Sequence, residues 1–356
     1  MRVLYTHDAF SLQRYGGISR YVVELVRHMP ADVQTRVFSG LHINDLLEAV
    51  PSCGVRVPAV RYTHRARFAV NDLAQSIACL RNGCDVVHKT YYGAFKGASG
   101  AARVVTVYDM IHELYPESFS CSDQSAAKKR ESCLQADHIL AISHSTKSDL
   151  VRILGIPAQK ITVTHLASSL DFAVGAAVLP NGRPYVLHVG QRDGYKAFKQ
   201  VLAAFATAAR VLANFDLVSF GPDWSMDECR EIERLALRDR VHRVGGSDRL
   251  LAAYYKGARL LVYPSRYEGF GLPPLEAMTI GCPVLCARVS SIPEVVGEAG
   301  LYFDHATPDA LRDTLEAVAF DETRLTEARR LGLQRSMLFS WQRCASETAA
   351  VYAALA

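Results

Sequence analysis

The stretch Glu268-Gly-Phe-Gly-Leu-Pro-Pro-Leu-Glu276, followed by Ala-Met-Thr-Ile-Gly281, sets two acids around a glycine-rich turn. Pro273 and Pro274 suit the first turn of a helix, where backbone N–H groups have no partner within the helix, and Gly281 suits its C-terminal cap. Gly269 and Phe270 lead into that turn. The amides of Gly271 and Leu272 then lie at the positive end of the helix dipole, where an anion is stabilised. Glu276 is expected in the first turn, leaning back over the helix start to accept hydrogen bonds from hydroxyls. Glu268 stands just ahead on the loop. One short element thus offers donors for phosphate and two acceptors for hydroxyls, the groups that a nucleotide sugar presents.

A second segment, Leu187-His-Val-Gly190-Gln-Arg192-Asp-Gly-Tyr-Lys196, runs from a strand into glycine and then into two cations ahead of a helix. Cations conflict with the positive helix end unless an anion lies among them. A leaving diphosphate gathers negative charge as a sugar–phosphate bond breaks, and fixed cations stabilise that charge most in the transition state. Near the N-terminus, Tyr15-Gly16-Gly17 precedes a helix expected near Ser19, so backbone there can approach a phosphate or sugar closely. This is not the Gly-x-Gly-x-x-Gly dinucleotide fingerprint, and no acidic strand end follows it. Two more strand ends carry polar groups: Tyr108-Asp109-Met-Ile-His112, and His88-Lys-Thr-Tyr91-Tyr92, whose donors and aromatic faces suit a sugar. Ser143 reads as a helix cap, since no nucleophile elbow surrounds it. The chain contains no Asp-x-Asp, which disfavours the metal-dependent class of sugar transferases.

Together these strings resemble the family 4 retaining glycosyltransferases of the GT-B fold (glycosyl transferases group 1), over nearly the whole chain. Within that family the chain looks most like bacterial mannosyltransferase-like members that build O-antigen or capsule. The resemblance implies transfer of a hexose, with mannose from GDP-mannose as first choice, from a nucleotide diphosphate sugar to a hydroxyl of a glycan or lipid-linked glycan. No metal and no cofactor is expected. It also implies that Glu276 holds the ribose, that Glu268 faces the donor hexose, and that Arg192 and Lys196 stabilise the leaving diphosphate. Gly16, Gly17, Gly190 and the Gly269–Leu272 turn (Gly269, Phe270, Gly271, Leu272) are the expected donor contacts, with Arg243 or Val244 meeting the base beside a wall around Leu250. Tyr15, His88, Tyr91 and Tyr92 are the acceptor candidates. Asp109 and His112 are the catalytic candidates on the acceptor side. Many relatives carry a His directly before that Asp, where this chain has Tyr108, and often Asn after the Lys, where this chain has Ala197. Retention in relatives is attributed to front-face attack, in which the leaving phosphate takes the acceptor proton, so no protein nucleophile is required. The rival classes are a GT-B nucleotide-sugar epimerase and a non-catalytic nucleotide-binding protein; an NAD-dependent dehydrogenase would need the fingerprint that is missing.

The elements that must hold these residues follow from size and pattern. A chain of 356 residues makes two domains, each able to bury a core. Short apolar runs alternate with helical segments, which predicts parallel sheets with crossover helices. Strands are expected at 2–5, 35–38, 86–88, 104–108, 138–142 and 160–163, then at 185–189, 215–220, 241–244, 260–263 and 284–287. Helices are expected at 19–28, 67–81, 125–136 and 145–154, then at 199–213, 226–237, 248–256 and 308–320. Ser291-Ile-Pro-Glu294 has capping-box spacing. The expected division is an acceptor-side domain over 1–170, a linker over 171–184 and a nucleotide-sugar domain over 185–339. The amphipathic segment 340–356 crosses back to the first domain, and the family fold places ligands in the cleft between two Rossmann-like, doubly wound domains.

Composition limits the remaining classes. Hydrophobic residues make up 49% and charged residues 21%, as in a soluble globular protein, and no apolar run is long enough for a bilayer span. The N-terminus reads as a first strand and not as a secretory signal, so a cytoplasmic protein is expected. The nine cysteines lack Cys-x-x-Cys spacing, so reduced thiols are expected, and Cys282 with Cys286 has no second ligand pair to make a zinc site. Residues 1–178 carry 19 Lys/Arg against 15 Asp/Glu, whereas the rest balances at 21 of each, so the whole net charge of +4 lies in the first half. Arg56, Arg61, Arg65, Arg67 and Arg81, interleaved with Val57, Tyr62, Phe68, Val70 and Leu73, make the 51–83 region either a face for peripheral contact with an anionic inner membrane face or a charged acceptor, or an ordinary solvated basic helix, without a strict apolar stripe. No nucleic-acid partner is expected.

Overall fold

The computed structural model describes residues 1–60, 63–98, 100–170, 173–179, 181–192, 194–304 and 307–356, the side chains of 65 and 80–82 excepted. Arg61, Tyr62, the side chains of Arg65 and Arg81, and residues 171, 172 and 180 of the expected linker lie outside the described residues. The chain divides into two compact units, 1–166 with 340–356, and 167–339.

The first unit holds β1 (Arg2–Tyr5), β2 (Gln34–His42), β3 (Ser52–Arg56), β4 (Val86–Lys89), β5 (Ala102–Val107), β6 (His138–Ala141) and β7 (Ile161–Val163). They pair in parallel in the order β3-β2-β1-β4-β5-β6-β7. Its helices are α1 (Asp8–Leu12), α2 (Gly17–Arg27), α3 (His64–Asn82), α4 (Ile111–Leu114), α5 (Ser125–Gln135) and α6 (His144–Leu154), joined by the C-terminal helix Trp341–Leu355. Every residue of β4 is buried, as a central parallel strand covered on both faces requires. The C-terminal helix packs here through Tyr352, whose hydroxyl meets Tyr5 Oη at 3.0 Å and His88 Nδ1. Strand order reverses between β1 and β4, which opens a crevice beyond their carboxyl ends.

The second unit holds β8 (Tyr185–Val189), β9 (Asp216–Phe220), β10 (Val241–Val244), β11 (Leu261–Tyr263), β12 (Val284–Ala287) and β13 (Gly300–Phe303), parallel in the order β10-β9-β8-β11-β12-β13. Its helices are α7 (Phe198–Thr207), α8 (Ala209–Asn214), α9 (Met226–Arg234), α10 (Asp248–Gly257), α11 (Leu272–Ile280), α12 (Ile292–Val296), α13 (Pro308–Val318) and α14 (Glu322–Ser336). The core gathers Val186, Phe198, Phe205, Leu217, Val262, Leu285 and Leu315, all within a few per cent of full burial. Each such side chain contributes about 1.5–3 kcal/mol of transfer free energy. The reversal here lies between β8 and β11.

Several expectations need correction. The helix expected over 199–213 breaks at Ala208 into α7 and α8. Strands β3 and β13 and helix α14 were not expected: β3 is exposed throughout and shows no alternation, and six of the 15 residues of α14 are charged. Ser291 and Glu294 form no capping box, because the Ser291 hydroxyl is used elsewhere. Within the basic region, Arg67 is buried and donates to Ser11 O at 2.9 Å, while Arg56 pairs with Asp45. An apolar stripe does exist there: Ala66, Ala69, Val70, Leu73, Ala74 and Ile77 follow one face of α3 and are all exposed. No helix among the described residues is long and apolar enough to cross a membrane. The nine cysteines are free thiols.

Candidate active site

In the second unit the loops after β8 and β11 flank the strand-order reversal, and both sequence motifs fall on them. The first loop passes Gly190 (φ 118°), where a Cβ would meet open space, then Arg192, then a short 3-10 turn ending at Lys196. Ala197 turns the chain into α7 with φ 55°, a left-handed conformation uncommon for alanine. The second loop runs from Tyr263 to Glu268 and into α11, whose N-cap is Gly271 (φ 109°) and whose C-cap is Gly281 (φ 82°). Pro273 and Pro274 carry no N–H, which leaves the amides of Gly271 and Leu272 at the helix start. The two loops meet where Lys196 Nζ donates to Glu268 Oε1 at 2.6 Å, and Arg266 N donates to Tyr195 O at 2.8 Å.

The loop bearing Glu268 is pinned from behind. Ser290 Oγ accepts from Glu268 N, and Ser291 Oγ donates to the carbonyls of Glu268 and Phe270, each at 2.8 Å. Glu276 is the fifth residue of α11 and so stands in its second turn, one turn later than expected. Tyr255 on α10 donates to its Oε2 at 3.1 Å. Glycines end three adjacent strands: Gly190 after β8, Gly221 after β9 and Gly245 after β10. A Cβ on Gly221 would stand 2.6 Å from Gly190 O, so only glycine lets these strand ends approach. Val244, half-buried, accepts from Gly221 N at 2.8 Å. Arg192 was expected to stabilise a leaving diphosphate. It is buried against its own unit and bound to Glu228. His188, beneath both cations, is held neutral at a pKa of about 3 by burial and then by the charges of Arg192 and Lys196.

The reversal in the first unit is also marked by a lysine–carboxylate pair. Lys89, at the end of β4, donates to Asp8 beyond β1 at 3.1 and 3.3 Å, and both side chains are 4% exposed. Thr6 Oγ1 donates to the same carboxylate at 2.5 Å. Gly16 is the N-cap of α2, Gly17 its first residue, and Tyr15 is exposed with the Arg20 guanidinium 5.2 Å from its ring. Two acceptor candidates are packing residues instead. His88 is buried, with Nδ1 at Tyr352 and Nε2 2.8 Å from Thr106 Oγ1, and Tyr92 is buried with its hydroxyl accepting from Tyr108 N. Tyr91 is half-buried, its ring 4.3 Å from that of Tyr92. Tyr108, at the position where relatives have His, donates to Thr90 O at 2.9 Å.

Asp109 is one-quarter exposed and is held by a lysine that sequence reasoning missed. Lys129, fully buried on α5, donates to Asp109 O at 2.8 Å and to Glu113 Oε2 at 2.7 Å, with Asp109 Oδ1 at 3.6 Å. His112 faces the other way, stacked on Phe119 at 4.1 Å with Nε2 4.0 Å from Asp123. A signal for Lys89 was present, a lysine inside an apolar strand end; Lys129 sits in a Lys-Lys-Arg run that reads as a solvated helix face.

The family model of Glycosyltransferase Family 4 matches residues 15–172, and that of Glycosyl transferases group 1 matches residues 173–332. The chain belongs to the group 1 and family 4 glycosyltransferases. The chain is 34% identical over 235 residues to the O-antigen chain mannosyltransferase B of Escherichia coli, covering 62% of each chain. It is 43% identical over 129 residues to the MMP alpha-(1->4)-mannosyltransferase of Mycolicibacterium hassiacum, covering 34% of this chain and 31% of that one. The matched region thus spans less than two thirds of either relative. Among solved structures, sucrose-phosphate synthase from Thermosynechococcus elongatus superposes with a TM-score of 0.78 at 20% identity, over 99% of this chain and 98% of that chain. Anabaena HepE, solved with UDP and glucose, gives 0.73 at 16% over 99% of both. These likenesses fix the fold of the chain as GT-B.

Proposed function

We propose that this glycosyltransferase moves a hexose, mannose from GDP-mannose first, from a nucleotide diphosphate sugar to a hydroxyl of a glycan or lipid-linked glycan in cell-surface polysaccharide synthesis, with retention at the anomeric carbon. The observation that carries the reading is the Lys196–Glu268 contact at 2.6 Å, which joins the cation of one motif to the acid of the other. Diphosphate oxygens are met by Lys196, Arg192 and the amides of Gly271 and Leu272; Glu276 takes the ribose and Glu268 the hexose. As the anomeric C–O bond to phosphate breaks, the acceptor oxygen bonds to the same face of that carbon, and the hydroxyl proton passes to the departing phosphate oxygen. The names of the relatives, mannosyltransferases of O-antigen among them, support mannose and polysaccharide. We further propose that the exposed stripe of α3 rests on an anionic membrane, where lipid-linked acceptors reside.

The test supplies the purified protein with GDP-mannose, or a panel of UDP, dTDP and ADP sugars, together with mannose-ended glycans on a lipid carrier. The expected result is nucleotide release that depends strictly on acceptor, unaffected by EDTA, with an α-linked product from an α-linked donor. Release on donor alone would instead assign an epimerase, and no nucleotide binding by folded protein would sink the reading.

A further inference from the structure

Of the two cations expected at the diphosphate, Arg192 is the more constrained. Its side chain is 2% exposed. Nε donates to Glu228 Oε1 at 2.5 Å and Nη2 to Glu228 Oε2 at 3.3 Å, a two-pronged grip. Nη2 also donates to Pro222 O at 2.9 Å and to Asp223 O at 2.8 Å, and the Trp224 ring lies 4.4 Å from the guanidinium carbon. Nη1 has only the Ser219 hydroxyl, at 3.5 Å, as a polar partner among the described residues. It lies beside Gly221, where a Cβ would come within 3.2 Å of it. One edge of the fork is therefore consumed, and the other faces a strand end kept bare by glycine.

Glu228 is itself fixed. It is the third residue of α9 and closes a capping box with Ser225, accepting from Ser225 N at 2.7 Å while Ser225 Oγ accepts from Glu228 N at 3.2 Å. The carboxylate is thus built into a helix start, at the favourable end of its dipole, and cannot follow a moving arginine. We propose that Glu228 is a positioning residue for Arg192, holding Nε and Nη2 so that Nη1 alone is presented to an oxygen of the donor's pyrophosphate. This rests on the donor-site reading above. The charge logic is specific. A neutral Arg–Glu pair attracts a resting diphosphate weakly, yet its oriented N–H gains as charge builds on the leaving group, without reorganisation at that moment. The geometry needs a planar fork, which lysine lacks.

The test is Glu228→Gln, because glutamine still closes a capping box and keeps the side-chain shape. The expected result is a kcat reduced about 10- to 100-fold, the scale of a small misplacement of a reacting group, with the KM for donor equal or lower, since a net positive charge is gained. Asp321→Ala, which removes the cap of α14, serves as a control; it should lower the melting temperature and leave kcat intact. A Glu228→Gln kcat within about twofold of wild type would overturn the proposal. So would a raised KM at unchanged kcat, or an equal kcat loss in Asp321→Ala. Calorimetry with GDP and UDP separates the layers: Arg192→Ala should weaken the nucleotide bound by wild type, and unchanged affinity there defeats the proposal alone. Binding of neither nucleotide by wild type brings down the donor-site reading and this proposal with it.

Discussion

Lys196 and Glu268 are half-buried or better, with side chains 19% and 10% exposed, so each is the other's main compensation. Lys196→Ala removes a donor to the diphosphate and the charge that pairs with Glu268; kcat/KM for donor is expected to fall by about 10²–10³-fold, the scale of losing one transition-state donor, as steady-state kinetics would read. A second prediction concerns the residue beside it. Ala197 holds φ 55° and ψ 28° at the start of α7, where relatives often carry Asn, a side chain that tolerates this conformation better. Ala197→Gly should raise unfolding free energy by about 1 kcal/mol, visible as a melting temperature higher by a few degrees, with kcat unchanged.

At the scale of elements, the loop that leads into α11 is tied to the residue that precedes α12. Ser291 precedes α12 and spends its hydroxyl on two carbonyls of the Glu268 loop instead of capping its own helix. Ser291→Ala should destabilise the second unit by about 1–3 kcal/mol, two carbonyls losing their donor, and hydrogen exchange should quicken at 268–271 with α7 unaffected. Helix α3 works on both faces. Arg67, Asn71 and Gln75 on its inner side bond the chain around His7, Ser11 and Leu41, while Val70, Leu73 and Ile77 on its outer side are 53%, 66% and 44% exposed. The paired change Val70→Glu with Leu73→Glu should abolish flotation with vesicles rich in anionic lipid while transfer to a soluble acceptor persists; flotation unchanged would remove the membrane role from this face.

For the whole molecule, each unit contains a fully buried histidine held neutral, His88 in the first and His188 in the second, and burial keeps both near pKa 3 against an ordinary value of 6.5. The folded values lie below the unfolded ones, so as pH falls from 6.5 the unfolded chain takes up protons first. Stability is therefore whole above pH 6.5 and drains progressively toward pH 3. Melting temperature should drop between pH 6.5 and 4.5, earlier than carboxylate protonation would cause. His188→Gln should flatten that slope in the second unit; a curve flat to pH 5 in wild type would contradict the account.

Local pattern determined much of this protein. Parallel α/β architecture, the strand ends at 189, 220, 244 and 263, the proline-opened helix α11 and the cap at Ser143 all follow from apolar runs and turn residues, whose physics acts over a few positions. The motif acids and cations were legible for the same reason, as residue types set beside glycine. Tertiary structure alone decided what those residues face. It brought Lys196 to Glu268 across a strand-order reversal, turned Arg192 inward to Glu228, took His88 and Tyr92 into packing, and buried Lys129 beside Asp109. It also gave Ser291 to a loop and not to a helix. A side chain's type restricts its possible partners, but long-range pairing depends on which strands lie side by side, and no local periodicity records that.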